Sequence, residues 1–210
     1  IDEINRAPAK TQAALFEVME ERQVTMDGQT YLMEPPFMII ATQNPIEYEG
    51  TYRLPEAQLD RFLFKITVPY PTEQQEFTIL SRFHQLGNAQ VLSTINAVLS
   101  AHQIKELREQ VKNIFFEEKL LQFIAKIIST TRTHKSIYLG ASPRASLAVM
   151  NASKAIAAMN GRDFVTPDDI VYAIPYVLRH RIILTPEKEM EGITTDDVIQ
   201  QVIHSIEIPR

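Results

Sequence analysis

Five side chains in this 210-residue chain are suited to handling charged oxygen groups: the acidic pair Asp2-Glu3, the amide of Asn44, and the guanidinium groups of Arg61 and Arg144. A carboxylate pair can stand where a buried strand runs out into an active site, though most often such a pair is a solvated turn. Asn44 follows the apolar run FMIIAT (37–42), just past what reads as the carboxyl end of a strand. That is where ligands bind in open parallel sheets. An Asn-Pro such as Asn44-Pro45 is usually just a turn starter. Arg61, in LDRF, is of a type that commonly forms surface ion pairs. Arg144 is the oddest of the five. It follows Ser142-Pro143, a helix start, and the first turn of a helix carries partial positive charge that disfavours a cation. A nearby anion would relieve that conflict.

The elements that must position these groups fall into two stretches. Asn5 or Pro8 can open a helix whose apolar face is Ala14, Leu15, Val18 and Met19. QVTMDGQTYLM then alternates around Asp27-Gly28, the pattern of a two-residue type I′ hairpin. FMIIAT is continuous and apolar, so it is expected to be a strand buried on both faces. The punctuated stretch EYEGTYRLPEAQ leads to a short helix holding LDRF, and LFKITV (63–68) is expected to be a second buried strand. Pro69 and Pro71 mark the expected domain boundary.

Beyond it the periodicity is helical. The segment 72–86 carries Phe77, Leu80 and Phe83; a polar linker follows around Gly87-Asn88; 99–111 is amphipathic through Ile104, Leu107 and Val111. Leu120, Ile124, Ile127, Ile128 and Thr131 form one stripe of a long helix over 117–133. Ser142-Pro143 and Thr166-Pro167 are cap-and-start pairs, Asp169 completes a capping box, and Asn160-Gly161 is a stop. Pro175 is expected to kink or end its helix. RIILTPEKEMEGI suggests a small hairpin, and Thr194 or Thr195 opens a last helix.

Composition narrows the classes of function. With 21 Lys and Arg against 26 Asp and Glu, the net charge is −5. Nucleic-acid binding rests mainly on cations neutralising phosphates, so no nucleic acid is expected as a partner. There is no cysteine, which excludes disulfides and thiolate metal sites within these residues. The five histidines show no metal-ligand spacing. No apolar run approaches the ~20 residues of a membrane span, and a cytoplasmic location is expected.

Order and context then point to a family. DEINRAP (2–8), LFEVMEERQVT (15–25), ATQNPIEYEGTYRLPEAQLDRF (41–62), LGASPRA (139–145), NGRDFVTPDDI (160–170) and VLRHRIIL (177–184) together resemble the MoxR family of AAA+ ATPases over nearly the whole chain. The resemblance implies an α/β remnant of a P-loop AAA+ core with a partial parallel sheet in residues 1–71, followed by a mainly α-helical lid in 72–210. It also implies ATP and Mg²⁺ as cofactors. Asp2 and Glu3 would be the acidic end of Walker B, with Asp2 holding Mg²⁺ through its water shell and Glu3 polarising the attacking water. Asn44 would be sensor 1, bonding that water and a phosphate oxygen. Arg61 would be the arginine finger reaching the neighbouring subunit, and Arg144 would be sensor 2, turned toward the γ-phosphate of its own subunit. The Asp27-Gly28 hairpin resembles the pre-sensor-1 insertion, which in relatives projects toward a central channel; it could equally be a structural ribbon.

The partners so implied are further copies in a ring of six, a client protein and a von Willebrand factor A-domain protein. One departure matters: GxxxxGK[ST], the loop that grips phosphates, is not among these residues. The expectation is a truncated fragment, inactive alone, whose first 71 residues are less ordered than the helical part. Two other readings stand beside the motor: a non-catalytic helical interaction module, and a nucleic-acid motor related to AAA+ helicases. The hairpin VTMDGQTYL carries no Lys or Arg, which counts against the latter.

Overall fold

A computed structural model describes residues 1–44, 54–86 and 95–209 of the chain. Asp2 and Glu3 directly precede a single 3₁₀ turn, Ile4–Arg6. Helix α1 (Ala9–Glu21) begins directly after Pro8. Its buried residues are Gln12, Phe16 and Val18, with Leu15 and Met19 half-buried. The face it buries is therefore turned from the expected one, and Ala14 is exposed. Phe16 packs with Ile4 and Leu54 in a small apolar cluster, edged by Ala41, Leu59 and Phe62.

Strands β1 (Gln23–Met26) and β2 (Gln29–Leu32) form the expected hairpin, with Met26 opposite Gln29. The loop residues Asp27 and Gly28 have φ of 52° and 78°, the two positive values that a type I′ turn requires. Thr25 Oγ1 donates to Glu17 Oε1 at 2.5 Å, fixing the ribbon to α1. The ribbon exposes Met26, Tyr31 and Leu32.

The run 37–42 is extended but not buried on both faces. Its exposure alternates, and Met38 and Ile40 are 79% and 72% accessible. The bonds described for it lead to the chain's first residues: Ile1 N donates to Ile40 O at 2.7 Å, and Thr42 N donates to Ile1 O at 2.9 Å. One residue bonded to the two flanking a third is the parallel pattern, so Ile1 and Ala41 form one parallel rung. A strand is covered on both faces only when helices lie on both, and among the described residues none covers Met38 and Ile40. The run 63–68 likewise is not assigned as a strand; Ile66 and Val68 are exposed. Lys65 N donates instead to Tyr176 O at 2.9 Å, in the helical part.

Helix α2 (Glu56–Leu59) precedes Arg61. Most of the stretch between Asn44 and α2 lies outside the described residues, as does the linker at Gly87-Asn88. Helix α3 (Glu73–Leu86) forms as expected, yet its stripe Phe77, Leu80 and Phe83 stays exposed. Helix α4 (Ala101–Lys112) opens with a Ser100–Gln103 capping box.

The main core belongs to α5 (Glu118–Thr131), α6 (Pro143–Met159), α7 (Pro167–Leu178) and α9 (Thr195–His204). The stripe Leu120, Ile124, Ile127, Ile128 and Thr131 is buried along α5, as its spacing requires. Ile127, Ile170, Ile174 and Ile199 are each 0–1% exposed. Each such side chain contributes about 2–3 kcal/mol by removal from water, and this holds the bundle together. Thr166 and Thr194 cap α7 and α9 with reciprocal boxes to Asp169 and Asp197.

Two features of this part differ from expectation. Pro175 does not end its helix: it lies inside α7, which continues to Leu178. The residues flanking it, Ile174, Val177 and Leu178, are fully buried, and their packing outweighs one missing ladder bond. The hairpin expected after Arg181 is absent. Strand β4 (Ile183–Leu184) pairs instead with β3 (Ile137–Leu139), far upstream, and Pro186–Met190 forms the short helix α8.

Candidate functional site

At the start of the chain the polar groups are tied together by one hydroxyl. Thr42 Oγ1 donates to Asp2 Oδ1 at 2.5 Å and accepts from Glu3 N at 2.9 Å. Ile4 N donates to Thr42 O at 3.0 Å. Glu3 is in the left-handed region, φ 46° and ψ 58°, without being glycine. That conformation costs on the order of 1 kcal/mol, and here two neighbouring bonds to Thr42 enforce it. Glu3 Oε2 is paired with Arg6 Nε at 2.8 Å. Asn44, half-buried, stands two residues beyond Thr42 on the same stretch of backbone. The structure thus brings Asp2, Glu3 and the approach to Asn44 to one place.

This cluster offers hard oxygen donors from Asp2 and Thr42. No group of three or more potential metal ligands is found among the described residues. Such a donor set does not strip a metal ion of its water. It fits magnesium, which keeps several waters and takes its remaining ligands from one or two carboxylates and a phosphate.

The two arginines meet elsewhere, at the last turn of α1. Arg144 Nη2 donates to Glu20 Oε1 at 2.7 Å, and Arg61 Nη1 is ion-paired with the same oxygen. Arg61 Nε is buried without an acceptor among the described residues. Ser142 caps α6 and accepts from Arg144 N at 3.2 Å, so the cation does occupy a helix N-terminus, as its position in the sequence suggests. Two guanidinium groups on one carboxylate oxygen form an anion site with donors to spare. Gln12 reaches Ile4 O from near the start of α1, and Glu20 lies eight residues on, roughly 12 Å along the axis. Ile4, the neighbour of the carboxylates, is thus bonded near the start of α1, and the arginine pair meets Glu20 in its last turn.

Around Arg61 the chain is gripped by residues the sequence does not single out as functional. Arg181 Nε donates to Asp60 Oδ1 at 2.8 Å, and Ser142 Oγ donates to Asp60 Oδ2 at 2.8 Å. His180 Nε2 donates to Phe62 O at 2.9 Å, so the buried ring is in its Nε2–H form. The signal in the sequence was the alternation of cations with apolar residues in VLRHRIIL: charges inside an apolar run need buried partners.

Burial, then the neighbouring Arg181 charge, hold the His180 pKa at about 4 despite its bond to Phe62 O. The unfolded chain binds a proton near pH 6.5, so stability is complete above that value and is lost as the pH falls from about 6.5 to about 4. Denaturant melts of the chain should show a His180-dependent loss of about 2 to 3 kcal/mol across that window. His180→Gln should remove that part of the pH dependence; an unchanged slope in the variant contradicts the assignment.

Comparison with known proteins places this geometry in context. The family described as "ATPase family associated with various cellular activities (AAA)" matches residues 1–64, and the AAA lid domain matches residues 129–202. The chain is 43% identical to YeaC of Bacillus subtilis over 208 residues, covering 99% of this chain and 64% of that protein. It is 41% identical to the chaperone MoxR1 of Mycobacterium tuberculosis, covering 100% of this chain and 56% of the relative. A crystal structure of a candidate ATPase from Cytophaga hutchinsonii superposes with a TM-score of 0.90 at 38% identity, covering 100% of this chain and 65% of that one. The chain thus spans between about half and two thirds of the length of these relatives.

Proposed function

The chain belongs to the MoxR family of AAA+ ATPases, and from that premise we propose that it supplies the hydrolytic half of a nucleotide site formed between neighbouring subunits of a homo-oligomeric ring. The observation that carries the proposal is the convergence of Arg61 and Arg144 on the single oxygen Glu20 Oε1. A pair of cations so arranged is suited to a γ-phosphoryl group, whose charge is spread over several oxygens in the transition state. Glu20 stands in the place of that anion. Ile4, beside the carboxylates, is bonded near the other end of α1, so a triphosphate near Asp2 and Glu3 of one subunit would meet the arginines of the next. Arg144 would then act beside Arg61 across the seam rather than on its own subunit's nucleotide.

In this reading Asp2 would hold the magnesium through water, with Thr42 fixing the carboxylate's rotamer. The ion supplies charge neutralisation of the β- and γ-phosphates. Glu3, held in its left-handed conformation, orients the attacking water and takes up its proton, and Asn44 bonds that water and a phosphate oxygen. The bare ribbon of Met26, Tyr31 and Leu32 is suited to touch a protein client, and the ATPase cycle would drive a chaperone-like remodelling of it. Since the chain contains no GxxxxGK[ST], the 210 residues alone should not turn over ATP, whereas the full-length gene product should.

The test uses the full-length gene product. Glu3→Gln should lower ATP turnover about 100-fold or more while leaving nucleotide binding and oligomer size unchanged. Turnover within a few-fold of the parent would remove Glu3 from the chemistry.

A further inference from the structure

Arg181 is buried, with its side chain 3% exposed, and all five of its N–H donors are used. Nε serves the Asp60 carboxylate at 2.8 Å. Nη1 serves Leu63 O at 3.1 Å and Val177 O at 2.5 Å. Nη2 serves Asp60 O at 3.0 Å and Phe62 O at 2.6 Å. Four of the five bonds therefore fall on residues 60, 62 and 63, on either side of Arg61. The desolvation that lowers the Arg181 pKa is opposed by its bond to Asp60, and the group stays a cation.

Asp60 is the hinge of this arrangement. Its second oxygen accepts from Ser142, the N-cap of the helix that carries Arg144 two residues later. One carboxylate thus joins the backbone of Arg61, the buried Arg181 and the cap beneath Arg144. Burying an arginine among carbonyls brings less stability than an apolar side chain of like volume could. Its use here is geometric, because a planar fork with five fixed directions determines both position and orientation.

We infer that Arg181, through Asp60, is the positioning residue that sets Arg61 and Arg144 as one unit, so that the lid and the arginine pair move together. The inference rests on the proposed role of Arg61. A displacement of about 1 Å in a group that must meet a transition state can cost on the order of 100-fold in rate, and that is the effect expected when the fork is lost.

The experiment uses the full-length gene product. Arg181→Lys keeps the charge and removes the fork; Asp60→Asn keeps the shape and removes the counter-charge, and it carries the test should the lysine variant fail to fold. Turnover should fall about 100-fold in the first and about 10-fold in the second, with nucleotide affinity within about twofold of the parent. Mixed oligomers separate positioning from general damage. Arg181→Lys subunits should restore turnover when mixed with Glu3→Gln subunits, which still donate Arg61 across the seam. They should not restore it when mixed with Arg61→Ala subunits. Turnover within twofold of the parent, rescue of both partners, or rescue of neither overturns the inference. If Glu3→Gln and Arg61→Ala subunits fail to rescue each other, the role of Arg61 falls first, and that of Arg181 with it.

Discussion

Arg61→Ala should lower the turnover of the full-length gene product about 1,000-fold or more, with ATP still bound and the oligomer intact. An arginine brought to the γ-phosphoryl group is worth 10³–10⁵ in rate, or at least about 4 kcal/mol of transition-state stabilisation. The reason lies in the chemistry of the group. Guanidinium keeps its charge at any working pH and presents several donors in one plane. Here its backbone is fixed on both sides by Arg181, its Nη1 is on Glu20, and its Nε is buried without an acceptor among the described residues. A buried donor with no partner costs about 1–3 kcal/mol, which a phosphate oxygen would recover. Arg61→Lys should recover little, since an ammonium cannot reproduce the fork. Steady-state kinetics paired with a nucleotide-binding titration check this. Turnover above one tenth of the parent would remove Arg61 from the site.

The second large effect is on stability. Asp169 is buried, and its two oxygens receive Arg162 Nη1 at 2.8 Å and Arg162 Nη2 at 2.6 Å. Oδ2 also takes the backbone N of Thr166 at 2.8 Å and its hydroxyl at 3.0 Å. Burial alone would raise the Asp169 pKa, but the bonds from Arg162 and Thr166 prevail and leave it below the usual carboxylate range. Asp169→Ala removes a bidentate pair and a helix cap in one step. It should destabilise the lid by roughly 2 to 3 kcal/mol, since a helix cap and a part-buried bidentate pair are lost together, while Arg162, left behind, can still reach water. Asp169→Asn keeps the cap and should cost less. Denaturant midpoints of the chain and its variants measure both, and an Ala variant within about 1 kcal/mol of the parent contradicts the account.

Much of the lid, and the hairpin before it, was legible because the signals are local. Ser142, Thr166 and Thr194 each cap the helix that follows, and Asp27-Gly28 turns the hairpin, through bonds made within a few residues. The stripe along α5 needed only its own period. What failed depends on partners far along the chain. FMIIAT has the composition of a doubly covered strand, but composition does not say what lies over Met38 and Ile40. Pro175 carries a local signal to stop that the burial of its neighbours overrides. β3 was not expected, because three residues paired with two in β4 leave no pattern of their own.

The candidate site divides in the same way. Asp2, Glu3, Asn44, Arg61 and Arg144 were visible as types in a family order. Their grouping was not: Glu20 carries no signal of its own in the sequence, yet it draws Arg61 and Arg144 together across 41 and 124 positions. Asp60 and Arg181, 121 positions apart, were hidden for the same reason.

The central claim is that the two arginines leave Glu20 for a phosphate held by the neighbouring subunit. The most direct measurement is a structure of the full-length Glu3→Gln protein assembled with Mg-ATP. Arg61 and Arg144 should both lie about 3 Å from γ-phosphate oxygens of a nucleotide bound beside the adjacent subunit's Asp2, with Glu20 released. Both guanidinium groups still on Glu20, with the triphosphate bound at a distance from them, would contradict it.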